Sequence, residues 1–200
     1  MINIFALVNG TLVNYNKGMF IGLTGLNASG KGTAADHLKD LGFSYFSLSD
    51  IVREEATALG MDHSRESLIY TGNKLRTDNG PSVLAKRTAE KIIGQNIKNA
   101  VIDSIRNLKE VEELRKLDGF ILVAVDAPVE IRFKRAKKRG RVGFEKYLQE
   151  FIDVEQKENS SDPNKQNLFE CIKQADVVIV NDGTPKQLIS KVEELLIVRR

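Results

Sequence analysis

From Met19 onward the chain alternates short apolar runs with longer stretches in which apolar residues return every three or four positions. The short runs are Phe20 to Thr24, Ser44 to Leu48, Ala100 to Ile102, Phe120 to Val125 and Val177 to Val180, and each predicts a strand. Most are continuously apolar instead of alternating with polar residues, as strands covered on both faces require. Helical stretches separate them. The expected fold class is therefore α/β: a three-layer α/β/α arrangement around a five-stranded parallel sheet.

Ahead of Met19, Ile4 to Val8 and Thr11 to Tyr15 alternate around Asn9-Gly10, a residue pair suited to a type I′ turn. Residues 1–18 read either as a small β-hairpin or as an extension before a domain spanning 19–200, and no chemistry is visible in them. The chain has no internal repeat, no low-complexity tract and only four prolines, so no linker is expected to divide it. Two inserts stand out: a helical stretch at about 51–97 between the second and third strands, and a short segment at about 135–145 around Gly140 to Gly143. Ligands of open α/β sheets bind beyond the carboxyl ends of the strands, where such inserts form walls.

The first strand of the domain runs into GLNASGKGT, which fits G-x-x-x-x-G-K through Gly25, Gly30 and Lys31 and is followed at once by a helical pattern from Lys31 to Leu41. Glycines let such a loop turn its backbone N–H groups on a β-phosphate, and the helix start adds positive dipole. Lys31 brings a mobile charge to the β and γ oxygens. The expected nucleotide contacts are Gly25, Asn27, Ala28, Ser29, Gly30, Lys31, Gly32 and Thr33. Gly32 stands where Ser or Thr usually touches magnesium, so the ion must be held by water, nucleotide and a more distant carboxylate. Asp103, delivered to the carboxyl edge of the sheet by Ala100 to Ile102, is the expected Mg2+ organiser, acting through water, with a helix cap as its structural alternative.

GKGT resembles the adenylate kinase type of nucleoside monophosphate kinase more than GTPases or motor ATPases. The sequence has no N-K-x-D base-reading motif, and Asp103-Ser104 lacks the second acid usual in motor ATPases. The resemblance extends over most of residues 19–197. It implies that Asp50 and Arg53, in SLSDIVREE after the second strand, meet the acceptor phosphate. Their three-residue offset puts both on one helix face, and Asp50 also suits a helix cap. Arg106 in AVIDSIRN is implied in the same way, because this segment is similar to the D-G-F-P-R of adenylate kinases with the arginine one residue closer. Gly72, Asn73, Arg76 and the Gly80-Pro81 turn are placed to line an acceptor pocket, with Arg76 either gripping a phosphate or lying on a solvated helix face.

VDAPVEIRFKRAKKRGRVG resembles the D-x-P and lid-helix signature that adenylate kinase-like enzymes share with dephospho-CoA kinases. Arg132, Arg135, Arg139 and Arg141 cluster there, and the resemblance points to Arg135 and Arg139 as the groups that neutralise the transferring phosphoryl. Asn181 to Thr184 in VVIVNDGT resemble the loop that borders adenine in such kinases, which adds Asn181 and Gly183 to the nucleotide set.

Thirty Lys and Arg against 27 Asp and Glu leave a formal charge of +3, too even for a nucleic-acid coat, and few aromatics accompany the basic run, so nucleic acid is not an expected partner. The single Cys171 allows no internal disulfide, and with two histidines it makes no familiar zinc site. The apolar runs are too short to span a bilayer and residues 1–18 lack a signal-peptide pattern, so a cytoplasmic location is expected. The resulting expectation is an ATP- and Mg2+-dependent phosphotransferase whose acceptor is a small phosphorylated molecule, a ribo- or deoxyribonucleoside monophosphate. Two other readings stay open. One is transfer to a ribose hydroxyl, as in dephospho-CoA kinases, with Asp50 as base; the other is a regulatory module that binds nucleotide without turnover.

Overall fold

The structure, a computed structural model, describes residues 5–8, 11–14, 18–140 and 147–198. Two strands, β1 (Phe5–Val8) and β2 (Thr11–Asn14), pair antiparallel with Val8 opposite Thr11. The Asn9-Gly10 turn expected between them lies outside the described residues.

The main sheet is formed by β3 (Met19–Thr24), β4 (Ser44–Ser47), β5 (Asn99–Asp103), β6 (Phe120–Asp126) and β7 (Val177–Val180). All neighbours are parallel and the spatial order is β4-β5-β3-β6-β7, so β3 sits centrally between β5 and β6. From β3 the chain crosses to the edge strand β4, returns to β5 beside β3, and then moves out through β6 to β7 on the other side, and the crevice at that switch is where a ligand of such a sheet is seated.

Alternation along the buried strands assigns each residue to one of two cores. Ile21, Leu23, Val101, Ile121, Val123 and Val125 point to one face, where α1 (Lys31–Asp40) and α9 (Pro185–Val198) close over them through Ala34, Leu38, Leu188, Val192 and Leu196. Ala100, Ile102 and Leu122 point to the other face. There α2 (Leu48–Ala58), α3 (Arg65–Asn79), α4 (Val83–Gly94), α5 (Leu108–Leu114) and α8 (Leu168–Lys173) contribute Leu48, Val52, Leu75, Leu84, Ile92, Leu114 and Cys171. The hairpin β1–β2 lies against α9. Two further helices, α6 (Val129–Arg139) and α7 (Leu148–Glu158), stand over the carboxyl edge, and α6 ends at Gly140 in the left-handed region, φ 57°.

Between β4 and β5 the chain makes α2, α3 and α4 in succession, and Gly80-Pro81 breaks the path between the last two. The apolar run Ser44 to Leu48 is split: Ser47 ends the strand and Leu48 is already helical, because its side chain completes the apolar stripe Leu48, Ile51, Val52 that α2 buries. Among the described residues no helix is long and apolar enough to cross a membrane.

Candidate functional site

The loop between β3 and α1 is held by two glycines in conformations an L side chain rarely adopts. Gly25 has φ 136°, and a Cβ there would stand 2.1 Å from the Val125 carbonyl. Gly30 has φ 115°, and its Cβ would meet Asn181 Nδ2 at 2.2 Å. No side chain caps α1, so the N–H groups of its first turn remain available to an anion. The buried Ser29 Oγ has no hydrogen-bond partner. These features fit a nucleotide phosphate.

Lys31 folds back on the loop and donates to the carbonyls of Gly25 (2.7 Å) and Leu26 (3.0 Å). Burial pushes its pKa down from 10.5 to about 8, partly offset by the attraction of Asp103. Asp103 at the end of β5 is itself fixed on both oxygens: the Ser104 N–H donates to Oδ1 at 2.6 Å and the Tyr45 hydroxyl to Oδ2 at 3.4 Å. Burial, and next the nearby Asp103, raise the Tyr45 pKa. Asp103 caps no helix; Asn107 and Glu110 form the capping box of α5 instead. Among the described residues no three His, Cys, Asp or Glu groups converge on a metal, and Asp103 is the one carboxylate that the described cleft lining offers a cation. Gly32 adds no side-chain donor.

A cleft of about 620 Å³ joins the loop to α2 and α3. Asn27 to Gly32 form one wall, and Tyr45, Ser47, Ser49, Arg53, His63, Arg65, Gly72 and Arg76 form much of the other; Asp103, Ser104, Arg106, Gln166 and Arg139 lie along it. The structure thus brings Lys31, Arg53, Arg76, Asp103, Arg106 and Arg139 together around one space. Arg106 donates to Gln166 Oε1 at 3.1 Å from its place on the wall.

Several expected residues stand elsewhere or are held differently. Asp50 is exposed, outside the cleft lining, and accepts from Arg53 Nη1 at 2.8 Å. It sits inside the first turn of α2, after Ser47 at the cap. Arg76 is neither solvated nor unpaired: it is 3% exposed, and its Nε and Nη2 donate to Glu110 Oε1 at 3.0 and 2.7 Å. Its remaining nitrogen, Nη1, faces Gly72 at the cleft. Glu110 uses its second oxygen on the N–H groups of Arg106 and Asn107, so one carboxylate ties α3 to the turn after β5. The Asn73 Oδ1 is buried without a partner, and the residue is not part of the lining.

On the lid side, Arg132 is buried against Glu155, donates to the Ala127 carbonyl at 2.9 Å and stacks its guanidinium over Phe151 at 5.6 Å. Arg135 does not line the cleft; it donates to the carbonyls of Ser29, Asn181 and Gly183 and to Asn181 Oδ1. Burial, then the charge of Arg139, lower its pKa. Asn181 Nδ2 donates to the Ser29 carbonyl at 2.7 Å. Asn181 and Arg135 therefore brace the loop through the Ser29 carbonyl, and neither they nor Gly183 line the cleft. Of Arg132, Arg135 and Arg139, Arg139 alone lines the cleft, and Arg141 lies outside the described residues together with 142–145 of the expected lid.

Glu110, Glu155, Tyr45, Ser49, Ser104 and Gln166 carried no motif. A capping-box spacing, Asn107 to Glu110, was the one sequence signal that could have singled out Glu110.

A family model described as AAA domain (AAA_18) matches residues 21–158. A UPF0200 protein of Pyrococcus abyssi is 35% identical over 183 residues, covering 89% of this chain and 95% of its own. Among solved structures, TT1252 from Thermus thermophilus aligns with TM-score 0.60 at 19% identity, over 92% of this chain and 98% of its own. A shikimate kinase from Acinetobacter baumannii in complex with shikimate aligns with TM-score 0.56 at 18% identity, over 93% and 97%. The strand order around the phosphate loop is thus the P-loop kinase fold, and the extent and identity of the sequence match place this chain in the UPF0200 family.

Proposed function

We propose that the protein is an ATP- and Mg2+-dependent phosphotransferase that passes the γ-phosphoryl group of ATP to a small phosphorylated acceptor, a ribo- or deoxyribonucleoside monophosphate. The observation that carries this reading is the charge of the cleft. Lys31, Arg53, Arg65, Arg76, Arg106 and Arg139 line it, and Asp103 is the only carboxylate among its described lining residues. So positive a field within a largely walled space fits two polyanions held side by side.

In this reading the N–H groups at the start of α1 and the loop grip the β-phosphate, and Lys31 leaves its own loop carbonyls for the phosphate oxygens. Asp103 would hold Mg2+ through water, and the ion would supply positive charge to the phosphates of ATP. Arg53, Arg106 and the Glu110-oriented Nη1 of Arg76 receive the acceptor phosphate, while Arg139 approaches the transferring group from the lid side. Positioning and charge neutralisation are the main requirements of phosphoryl transfer. A monophosphate acceptor is already an anion and needs no general base. That agrees with Asp50 standing outside the cleft lining, which disfavours the ribose-hydroxyl reading in which it is the base.

The test is ADP release from ATP and Mg2+ against a panel of ribo- and deoxyribonucleoside monophosphates, dephospho-CoA and shikimate, with Lys31→Ala as control. Turnover with a monophosphate is the expected result. Turnover confined to the hydroxyl acceptors would overturn the acceptor assignment, and ATP binding with no ADP from any of them would favour a regulatory module.

A further inference from the structure

Three serine hydroxyls from two distant segments meet on the acceptor wall of the cleft. Ser47 Oγ lies 2.8 Å from Ser49 Oγ, Ser47 donates to Ser104 Oγ at 3.2 Å, and Ser49 donates to Ser104 Oγ at 3.1 Å. Arg53 Nη1 in turn donates to Ser49 Oγ at 3.2 Å. Ser47 occupies the cap position of α2, yet its hydroxyl makes no capping bond and is spent on the triangle.

Proton counting gives the cluster a direction. Each hydroxyl has a single proton, and the triangle has three edges. Ser104 accepts along both of its edges, so only the protons of Ser47 and Ser49 serve the triangle. Whichever way those two are shared, every chain of bonds that starts at the Arg53 guanidinium ends on the Ser104 oxygen. The Ser104 proton is left over, on a residue that lines the cleft next to Asp103. A cation at the head of a hydrogen-bonded chain polarises each link, so the last hydroxyl becomes a better donor than an isolated serine. Ser104 is also one of three non-glycine residues with positive φ among those described, at 66°, the left-handed region disfavoured for an L side chain with a Cβ. That conformation sends its N–H to Asp103 and its Oγ to the triangle.

The geometry points to Ser104 as a specificity-determining residue for the acceptor: its hydroxyl, polarised through Ser49 and Ser47 by Arg53, donates to an anionic oxygen of the acceptor phosphate. This inference rests on the phosphotransferase reading above and deepens it. A polarised donor suits a phosphate oxygen better than a neutral hydroxyl, because hydrogen bonds to charged groups are the stronger ones. The positive charge of Arg53 thereby reaches the acceptor by two routes, directly and through the serines.

The test separates the hydroxyl from the backbone. Ser104→Ala removes the hydroxyl and keeps a Cβ in the left-handed region, whereas Ser104→Gly removes the hydroxyl and relieves that conformation. Both variants should raise the acceptor KM by about ten- to a hundredfold with the KM for ATP unchanged, although Ser104→Gly should melt higher than Ser104→Ala. Acceptor KM values that follow the melting temperatures, or that stay at the wild-type value in Ser104→Gly, would overturn the assignment. A second measurement does not depend on turnover: titration of inorganic phosphate into protein saturated with a non-hydrolysable ATP analogue, followed by 31P NMR. Weaker phosphate binding in both variants than in wild type is expected. Equal binding in all three, or none in wild type, would overturn the phosphate seat. Absence of wild-type turnover with every monophosphate, combined with intact phosphate binding, would instead count against the phosphotransferase reading alone.

Discussion

The half of the cleft proposed for the nucleotide takes its shape from the backbone, and the half proposed for the acceptor takes its shape from side chains. Gly25 and Gly30 adopt angles open to glycine, and the surrounding carbonyls and amide leave no room for a Cβ at either. Across the cleft, Arg76 is fixed by Glu110, Ser104 by Ser47 and Ser49, and Arg53 by Asp50 and Ser49. A backbone cradle recognises what every nucleoside triphosphate has in common. A wall of paired side chains can be retuned one residue at a time, so under the proposed function the two halves divide a common chemistry from an individual specificity.

The most severe break in that comparison is on the nucleotide side. Lys31→Ala should lower kcat by about three orders of magnitude, in the range seen when one preorganised charge donor is deleted, with a melting temperature near that of wild type. Steady-state kinetics together with a thermal melt checks both. On the acceptor side the largest effect should be on stability. Glu110→Ala strands the 3%-exposed Arg76 guanidinium and two backbone N–H groups, and should cost about 3–5 kcal/mol in denaturant unfolding.

A pH titration sharpens the comparison at intermediate cost. The Lys31 pKa is about 8 in the free protein, and phosphate contact raises it, so ATP binding takes up a proton above that pH. ATP affinity should be constant below pH 8 and fall by up to tenfold per unit above it, measured by calorimetry in buffers of different ionisation enthalpy. Stability of the free protein moves the other way. A lysine whose folded pKa lies below its unfolded value leaves the unfolded chain holding more protons between about pH 8 and 10.5, so its contribution to stability rises through that window. Acceptor affinity should share neither trend.

Smaller effects divide the arginines. Arg53→Ala should raise the acceptor KM about tenfold, and Arg139→Ala should lower kcat about tenfold at unchanged acceptor KM; identical changes in both variants would erase the distinction between seat and lid. Asn181→Ala, which removes the bond to the Ser29 carbonyl, should raise the KM for ATP severalfold and leave the acceptor side alone.

The same division explains what could be read from the chain. The phosphate loop, its flanking strand and helix, and the parallel sheet are local patterns, and GLNASGKGT and the apolar runs carry them within a few residues. The acceptor wall is assembled across 34 residues for Arg76 with Glu110 and 57 for Ser47 with Ser104. Neither pair has a spacing that announces it. Arginine spacing alone could not tell Arg139, which lines the cleft, from Arg135, which braces the loop, because both lie on α6 one turn apart and only the fold decides which faces what. Asp50 failed to reach the cleft for a related reason: Leu48, Ile51 and Val52 set the rotation of α2 by burying their stripe, and that puts Ser49 and the exposed Arg53 on the cleft lining and leaves Asp50 off it.

The bond from Asn181 to Ser29 spans 152 residues of sequence. During synthesis the glycine loop leaves the ribosome long before this brace exists, and the Ser29 carbonyl lacks the Asn181 amide until β7 has been made and docked beside β6. A growing chain therefore carries the glycine loop with only its internal bonds, those of Lys31 to Gly25 and Leu26, and the loop gains its long-range partner when the far end of the sheet is in place.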